Sequence, residues 1–211
     1  MKGYEILSLD ELEPVPHHGS NLLPIREVLD YRAAGINGWS ADAGGQLVPP
    51  HEEDSGNEEL YVVVRGRATF TVGDETADAP AGTLIFVPPR VHRTAVAAEG
   101  GTIVVAIGGT VGKAFEVHGW DTHALADALR QSGRADEGRA ALRRSMERRP
   151  DSWGLSYNAA CFEALEGNGD AAFDHLRRAF DLNEAEVRGY MAHDTDLDSL
   201  REDPRWQELL R

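Results

Sequence analysis

The spacing of hydrophobic and polar residues changes once along the chain, near residues 112–119. Before this point, short β-rich runs alternate with Gly, Pro and Asp, and no helical periodicity is sustained. After it, Ala, Leu, Arg and Glu dominate, and apolar residues recur with the 3.6-residue spacing of amphipathic helices. We therefore predict a multidomain α+β protein, with a β domain at residues 1–118 and an all-helical domain at residues 119–211.

The β-rich runs lie between Leu23 and Gly109, and their spacing predicts a sandwich or barrel. They read IREVLDY, GINGWSA, ELYVVV, ATFTV, TLIFV, VHRTAVAA and TIVVAIGG. Gly73-Asp74 and Glu99-Gly100-Gly101 are the clearest turns between them.

One pair of runs predicts a β-hairpin, in which Glu59 to Val64 and Arg67 to Val72 are joined by Arg65-Gly66. Pairing across this turn places one charged residue and five apolar or aromatic residues on a single face: Glu59, Tyr61, Val63, Ala68, Phe70 and Val72. An ionised carboxylate in such a row is costly unless something pairs with it. His51 lies eight residues upstream, and His92 follows the strand TLIFV as a second candidate partner.

These residues resemble the two motifs of the cupin superfamily. The first motif is matched by Gly45, His51, Glu59 and Gly66. The second resembles the run Gly82-TLIFV-Pro88-Pro89-Arg90-Val91-His92, in which Arg90 replaces a common glycine and the spacing to His92 is one residue shorter than usual. The resemblance covers roughly residues 35–110 and implies a double-stranded β-helix of the jelly-roll kind.

The same resemblance implies a metal site. His51, Glu59 and His92 would form a set of two histidines and one carboxylate, with Glu53, at the place of the family's second histidine, as a fourth oxygen ligand. Such a set suits Fe(II), and its nitrogen and oxygen donors also suit Mn, Ni or Zn. Alternatively, Glu59 pairs with an arginine, His92 is a hydrogen-bonded barrel histidine, and Glu53 belongs to a solvated acidic loop.

Three further residues are candidates for a ligand pocket. Tyr61 and Phe70 would face each other as an aromatic wall below the site, or simply as core packing. If residues 90–94 are extended, Arg90 points inward with His92, and Arg93 points the other way. Arg90 would then bind a substrate carboxylate through its guanidinium, unless it forms a surface salt bridge instead.

The helical part contains an internal repeat with a period of 34 residues. LRRSM at 142–146 recurs as LRRAF at 176–180. The period resembles the tetratricopeptide repeat, which implies helical hairpins that dock a protein partner, with Gly138 and Ala172 as the small residues where helices cross. The tail should cap the array with one helix from AEVRGYMAH, a turn, and a short helix. Its expected apolar anchors are Leu197, Leu200 and Trp206.

Composition and charge limit the classes of partner and cofactor that we expect for this protein. The net charge of −15 argues against a nucleic-acid binder, and the single Cys161 excludes an internal disulfide. The acidic N-terminus does not look like a signal peptide, and no run reaches the ~18 apolar residues of a membrane span, so we expect a cytoplasmic protein without a membrane partner. No dinucleotide fingerprint or phosphate-binding loop is present, so no nucleotide cofactor is indicated.

Two functional hypotheses follow. In the first, the cupin part senses a small molecule, with a metal-capable pocket, and the repeats dock a protein. In the second, the chain is a metal-dependent enzyme, such as an oxygenase, isomerase, epimerase or lyase acting on a small substrate. The presence of a protein-docking array favours the first hypothesis. Edge strands of such barrels commonly pair, so a homodimer is a further expectation.

Overall fold

The computed structural model describes residues 5–17, 19–54, 56–115, 117 and 119–210. The chain divides into two compact units, residues 1–117 and residues 118–211. The first unit is built mainly of strands and the second of helices.

The strands of the first unit form two antiparallel sheets. Their bounds are Val15–His17 (β1), Ser20–Leu23 (β2), Gly35–Ala41 (β3), Gln46–His51 (β4), Asn57–Arg65 (β5), Arg67–Val72 (β6), Glu75–Pro80 (β7), Leu84–Val87 (β8), Arg93–Ala97 (β9) and Thr102–Thr110 (β10). One sheet has the order β1-β2-β3-β10-β5-β8, and the other has the order β4-β9-β6-β7. The predicted sandwich is confirmed.

The two sheets share one apolar interior. Alternate residues of β5, β6 and β9 are buried in it: Tyr61, Val63, Ala68, Phe70, Ala95 and Ala97. A second apolar cluster joins β10 to the N-terminal segment, where Leu12, Leu23 and Ile25 pack against Ile103 and Val105. Burial on this scale is the main favourable term in folding such a sandwich.

The predicted hairpin between β5 and β6 is wrong. Strand β5 pairs with β10 and β8, whereas β6 pairs with β7 and β9, so the chain passes from one sheet to the other at Gly66. Gly66 has a φ of +71°, and a Cβ there would lie 2.4 Å from Thr102 Oγ1, so a glycine is needed for this passage. The residues expected on one face do meet in one interior, but they meet across the sandwich. The actual hairpin joins β6 to β7 through the predicted turn Gly73-Asp74.

The run IREVLDY, expected to be β-rich, contains the short helix α1 (Ile25–Leu29). Arg26 and Glu27 are buried in it and form an ion pair at 3.1 Å. The helix ends at Asp30, which has a left-handed φ of 49°. A short apolar run cannot be assigned to helix or strand by periodicity alone, and this explains the error.

The second unit consists of helices. They are α2 (Trp120–Gln131), α3 (Ala135–Arg148), α4 (Trp153–Leu165), α5 (Gly169–Met191) and α6 (Pro204–Leu209), with a 3-10 helix at Thr195–Leu200. A Cβ at Gly138 would lie 2.7 Å from the Ala126 carbonyl oxygen and 2.9 Å from the Phe162 ring, and Ala172 is fully buried. Gly138 therefore lies at a close helix contact, and Ala172 lies in the apolar core of the helices.

The tail follows the predicted plan. Asn183 has non-helical angles (φ −160°, ψ 79°) and divides α5 into two helices. Beyond it, Leu197, Leu200 and Trp206 are buried as expected. Among the described residues, none of the helices is long and apolar enough to span a membrane.

Candidate functional site

Three of the four candidate metal ligands converge at one end of the sandwich. His51 ends β4, Glu59 lies near the start of β5, and Glu53 is in the connection between the two strands. Their ligand atoms all lie within 4.8 Å of one another. His51 Nε2 is 3.5 Å from Glu59 Oε2 and 3.9 Å from Glu53 Oε1. The three side chains are 33%, 27% and 16% exposed for His51, Glu53 and Glu59, so solvent reaches the group.

The orientation of His51 is set by its own strand. Its Nδ1 lies 2.7 Å from the Pro49 carbonyl oxygen, so Nδ1 carries a proton and Nε2 faces the two carboxylates. Contact with Glu59 raises the pKa of His51 above its ordinary 6.5, against the opposing effect of burial. In its neutral form His51 therefore offers the Nε2 lone pair to a cation, and in its protonated form it pairs with Glu59.

Glu59 is held by residues from three strands. Its Oε2 accepts a hydrogen bond from the Tyr61 hydroxyl at 2.6 Å and forms an ion pair with Arg93 Nε at 3.2 Å. Burial alone would raise the pKa of Glu59, but contacts with His51 and Tyr61 and the charge of Arg93 outweigh burial and lower the pKa from 4.5. Glu59 is therefore ionised at neutral pH.

Arg93 is the least expected member of the site. It is the first residue of β9, and its backbone pairs with that of His51 on the neighbouring strand β4. Its side chain is on the inward face of β9, together with Ala95 and Ala97. Its side chain is 0% exposed. None of its three guanidinium nitrogens has a hydrogen-bond partner among the residues that the structure describes, although Nε lies 3.2 Å from Glu59 Oε2. A buried guanidinium that is only partly paired costs free energy, so its retention in the interior needs an explanation.

His92 and Arg90 are not brought into this group. His92 is half-buried just before β9, and its carbonyl oxygen accepts a hydrogen bond from the Gly73 N–H at 2.8 Å. Arg90 is exposed, with a left-handed φ of 61°, and its N–H donates to the Glu53 carbonyl oxygen at 3.2 Å. Residues 90–94 are therefore not uniformly extended, and the parity argument fails. The inward arginine is Arg93 rather than Arg90.

Tyr61 and Phe70 lie below the group and face each other across the sandwich. Their ring centroids are 5.5 Å apart, at an interplanar angle of 54°, and both side chains are buried. Burial, followed by the charge of Glu59, raises the pKa of Tyr61, so its hydroxyl stays protonated and donates to Glu59. Tyr61 thus belongs to the site through a hydrogen bond, whereas Phe70 contributes packing.

The donor set fits a divalent first-row ion by type. One imidazole nitrogen and two carboxylate oxygens are ligands for Fe, Mn, Ni or Zn, and the Nδ1 hydrogen bond to a carbonyl is the usual support for a metal-binding histidine. Arg93 acts against such an ion because it carries like charge beside Glu59.

The match to a protein family agrees with the fold of the first unit. A family described as "Cupin domain" matches residues 39–109. An uncharacterized protein of Streptomyces coelicolor is 37% identical over 86 residues, which make up 39% of this chain and 74% of that protein. Among solved structures, a cupin protein from Bacteroides fragilis is 23% identical, covering 56% of this chain and 92% of its own at a TM-score of 0.42. A predicted oxalate decarboxylase from Thermotoga maritima is 14% identical, covering 51% of this chain and 100% of its own, also at 0.42.

The sequence did contain a signal for Arg93. His92 follows the second motif one residue earlier than the histidine of the cupin pattern, so the position of that histidine falls on Arg93. The presence of a nearby histidine concealed the substitution.

Proposed function

This chain belongs to the cupin family through residues 39–109, and from that membership we propose that its first unit binds a small molecule. From the 34-residue repeat of its helices we propose that its second unit docks a protein, in a sensing or regulatory role. For the first unit, the observation that carries the proposal is the solvent-reached group of His51, Glu53 and Glu59 above the buried Arg93. Convergent polar groups at the mouth of an apolar interior are typical of small-molecule sites.

We further propose that this group holds a divalent ion, with His51, Glu53 and Glu59 as its ligands. The test is calorimetric titration of the chelator-treated full chain with Mn²⁺, Ni²⁺ or Zn²⁺. His51→Ala should weaken binding strongly, because it removes the nitrogen donor. His92→Ala is the matched control and should bind like the wild type, since His92 lies outside the group. Equal affinities for wild type and His51→Ala would contradict the assignment.

A second candidate function is a metal-dependent cupin enzyme, and the donor set favours it. The bound ion would supply Lewis-acid or redox chemistry, while His51, Glu53 and Glu59 would hold it and Tyr61 would orient Glu59. Oxygenase, isomerase, epimerase and lyase chemistry, on a small and carboxylate-bearing substrate, all remain compatible with the fold. Turnover by the metal-loaded chain that is lost in Glu59→Gln would favour this function over sensing.

For the second unit we propose a tetratricopeptide-like array that docks a protein. Two helical hairpins support this arrangement, since α3 begins at Ala135 and α5 begins 34 residues later at Gly169. Gly138 lies at a close helix contact, and Ala172, 34 residues later, is fully buried. Arrays of this kind present extended binding surfaces.

The chemistry of the docking surface favours a basic partner segment. A groove near the end of α5 is lined by Glu186, Gly189, Tyr190, His193 and Asp194. The Tyr190 ring is 55% exposed and lies 5.6 Å from Trp153 and 5.8 Å from Tyr157, centroid to centroid. Aromatic faces beside carboxylates attract Lys and Arg side chains by cation–π and charge interactions.

Fluorescence anisotropy of the full chain with a lysine-rich peptide tests this docking surface. Binding should weaken in Tyr190→Ala and with added salt. Tyr31→Ala, which changes a 43% exposed tyrosine of the first unit, is the control and should have no effect. Preference for an acidic peptide would refute a basic partner.

A second copy of the chain is the proposed partner of the first unit. Strand β8 is an edge strand, and its outward residues Leu84 and Phe86 are 64% and 57% exposed. Leu84 pairs with Val62 of β5, and Val64, two residues further along β5, is 41% exposed. An apolar edge of this kind is suited to pairing with an identical edge about a twofold axis. Light scattering should show a dimer that Phe86→Asp converts to a monomer, whereas Val111→Asp, at an exposed residue outside the strands, should leave it dimeric.

A further inference from the structure

We infer that the guanidinium of Arg93 is the positive charge that the group of His51, Glu53 and Glu59 already holds, and that Arg93 sets the affinity of this group for a divalent ion. This inference rests on the metal-binding part of the proposed function. The guanidinium holds Glu59 in an ion pair, and a metal ion can use that carboxylate fully only if the pair is weakened or broken.

The contacts of Glu59 support this reading. One oxygen, Oε2, is approached by the Tyr61 hydroxyl at 2.6 Å, Arg93 Nε at 3.2 Å and His51 Nε2 at 3.5 Å. The Tyr61 hydroxyl occupies one lone pair of this oxygen, and the guanidinium charge of Arg93 lies against the same atom, although Arg93 Nε makes no hydrogen bond to it. A cation that coordinates this oxygen therefore competes with Arg93 directly.

The net charge of the site also supports the inference that Arg93 weakens the binding of a divalent ion. With His51 neutral, the carboxylates of Glu53 and Glu59 and the guanidinium of Arg93 leave one net negative charge for a dication to meet. Without Arg93 there would be two. Because Arg93 is fully buried, water screens its repulsion of a dication only weakly.

The position of Arg93 also matters. It lies on the inward face of β9, in register with His51 on β4, and at the place where the cupin pattern has its histidine. Replacement of Arg93 by histidine would remove a repelling charge and introduce an imidazole donor at one step. Replacement by methionine would remove the charge without adding a nitrogen donor.

The decisive experiment is a calorimetric titration with Mn²⁺ and with Zn²⁺ of the chelator-treated full chain, as wild type, Arg93→His, Arg93→Met and Arg93→Lys. Relative to wild type, we expect a Kd lower by roughly 100-fold or more in Arg93→His and by roughly 10-fold in Arg93→Met. Arg93→Lys keeps the positive charge and should stay near the wild-type value. Unchanged or weaker binding in folded Arg93→His and Arg93→Met would overturn the inference.

The outcomes separate this inference from the proposed metal site. If the wild type shows no binding but Arg93→His binds in a manner that depends on His51, the inference stands and the metal part of the proposed function falls. If the wild type binds and all three variants match it, the metal site stands and the inference falls. Absence of binding in every protein would overturn both.

A measurement on the wild type covers the case in which the variants fail to fold. The Arg93 Nε–H resonance reports on the ion pair with Glu59. Saturation with diamagnetic Zn²⁺ should shift it as the pair loosens. Zn²⁺ binding that leaves this resonance unmoved would show that Arg93 and the ion do not compete, and would refute the inference.

Discussion

Among the residues that the structure describes, each unit contains one group of three side chains whose ligand-type atoms lie within 4.8 Å of one another. The barrel group is His51, Glu53 and Glu59 in the first unit, and the helical group is Cys161, Asp194 and Asp196 in the second. In both, a tyrosine hydroxyl donates to a carboxylate, Tyr61 to Glu59 at 2.6 Å and Tyr157 to Asp194 at 2.9 Å. Judged only by the kinds of side chain that they contain, the two groups are alike.

Their surroundings differ. Asp194 is the N-cap of the 3-10 helix Thr195–Leu200, accepting from the Asp196 N–H at 3.0 Å, and it also accepts from the Cys161 thiol at 3.5 Å. Local folding therefore accounts for Asp194. Glu59 caps nothing, lies inside a strand, and takes its charged partners His51 and Arg93 from two other strands. A carboxylate that the fold does not need locally is the better sign of a functional site, so we assign no metal to the helical group.

The largest expected effect comes from Glu59→Ala. The substitution leaves Arg93 buried without its charge partner, and breaking a buried pair from one side typically costs about 3–5 kcal/mol in the free energy of unfolding. Urea unfolding followed by amide signals of the first unit measures this. Glu58→Ala, at the adjacent residue of β5, is the matched control and should cost less than about 1 kcal/mol. Equal effects at the two positions would show that the Glu59–Arg93 pair has no special role.

Asp194→Ala should have a smaller effect on the second unit. It removes a helix cap, worth about 1 kcal/mol, and deprives the Tyr157 hydroxyl of its acceptor, at a further cost of about 1 kcal/mol. Asp194→Asn keeps an acceptor oxygen and should recover most of the loss. The same urea experiment, read on helical amides, tests both. If Asp194→Asn is as destabilised as Asp194→Ala, the charge of Asp194 matters, and the helical group resembles the barrel group after all.

The sequence predicted the elements of the first unit better than their pairing. Alternation in ELYVVV and ATFTV identified β5, β6 and their inward residues, because side chains alternate whichever strand lies alongside. The same alternation could not reveal that Gly66 leads from one sheet to the other, since a two-residue hairpin and such a passage both use a glycine at positive φ. Strand β7, ETADAP, was not among the predicted runs, because its alternating apolar positions hold only the small Ala77 and Ala79. Of its residues only Ala79 is buried, and the others lie exposed at a sheet edge.

The candidate site was predicted in part for a related reason. His51, Glu53 and Glu59 could be identified because two motif positions and an acidic loop mark them. The roles of residues 90–93 depended on backbone angles, and the left-handed Arg90 changes which side chain points inward. Periodicity cannot predict that Arg90 has a left-handed backbone conformation, because this conformation is uncommon for any residue other than glycine.

The smallest expected effect is the pH dependence of stability in the metal-free protein, and it should have opposite sign in the two groups. The folded pKa of His51 is raised above 6.5, so its contribution is complete below pH 6.5 and is lost as pH rises through the folded value. The folded pKa of Glu59 is lowered below 4.5, so its contribution is present above pH 4.5 and is lost as pH falls through the folded value. The first unit should therefore gain most from this pair between about pH 4.5 and 6.5.

In the second unit, burial and then Asp194 raise the pKa of Asp196 above 3.8, so Asp196 costs stability as pH rises from 3.8 through its folded value.

Acidification below pH 4.5 thus weakens the barrel group but relieves the helical group. Each effect should stay below about 1 kcal/mol. His51 and Asp196 are partly exposed and screened by solvent, and protonation of Glu59 relieves the cost of its burial, which offsets part of the loss of its partners. Urea midpoints read separately on strand and helix amides at pH 3.5, 5.5 and 8 measure both. His51→Gln should remove the loss above pH 6.5 in the first unit, and Asp196→Asn should remove the gain on acidification in the second. If both units respond to acid with the same sign, and neither variant changes the response, the contrast between the two groups does not extend to their electrostatics.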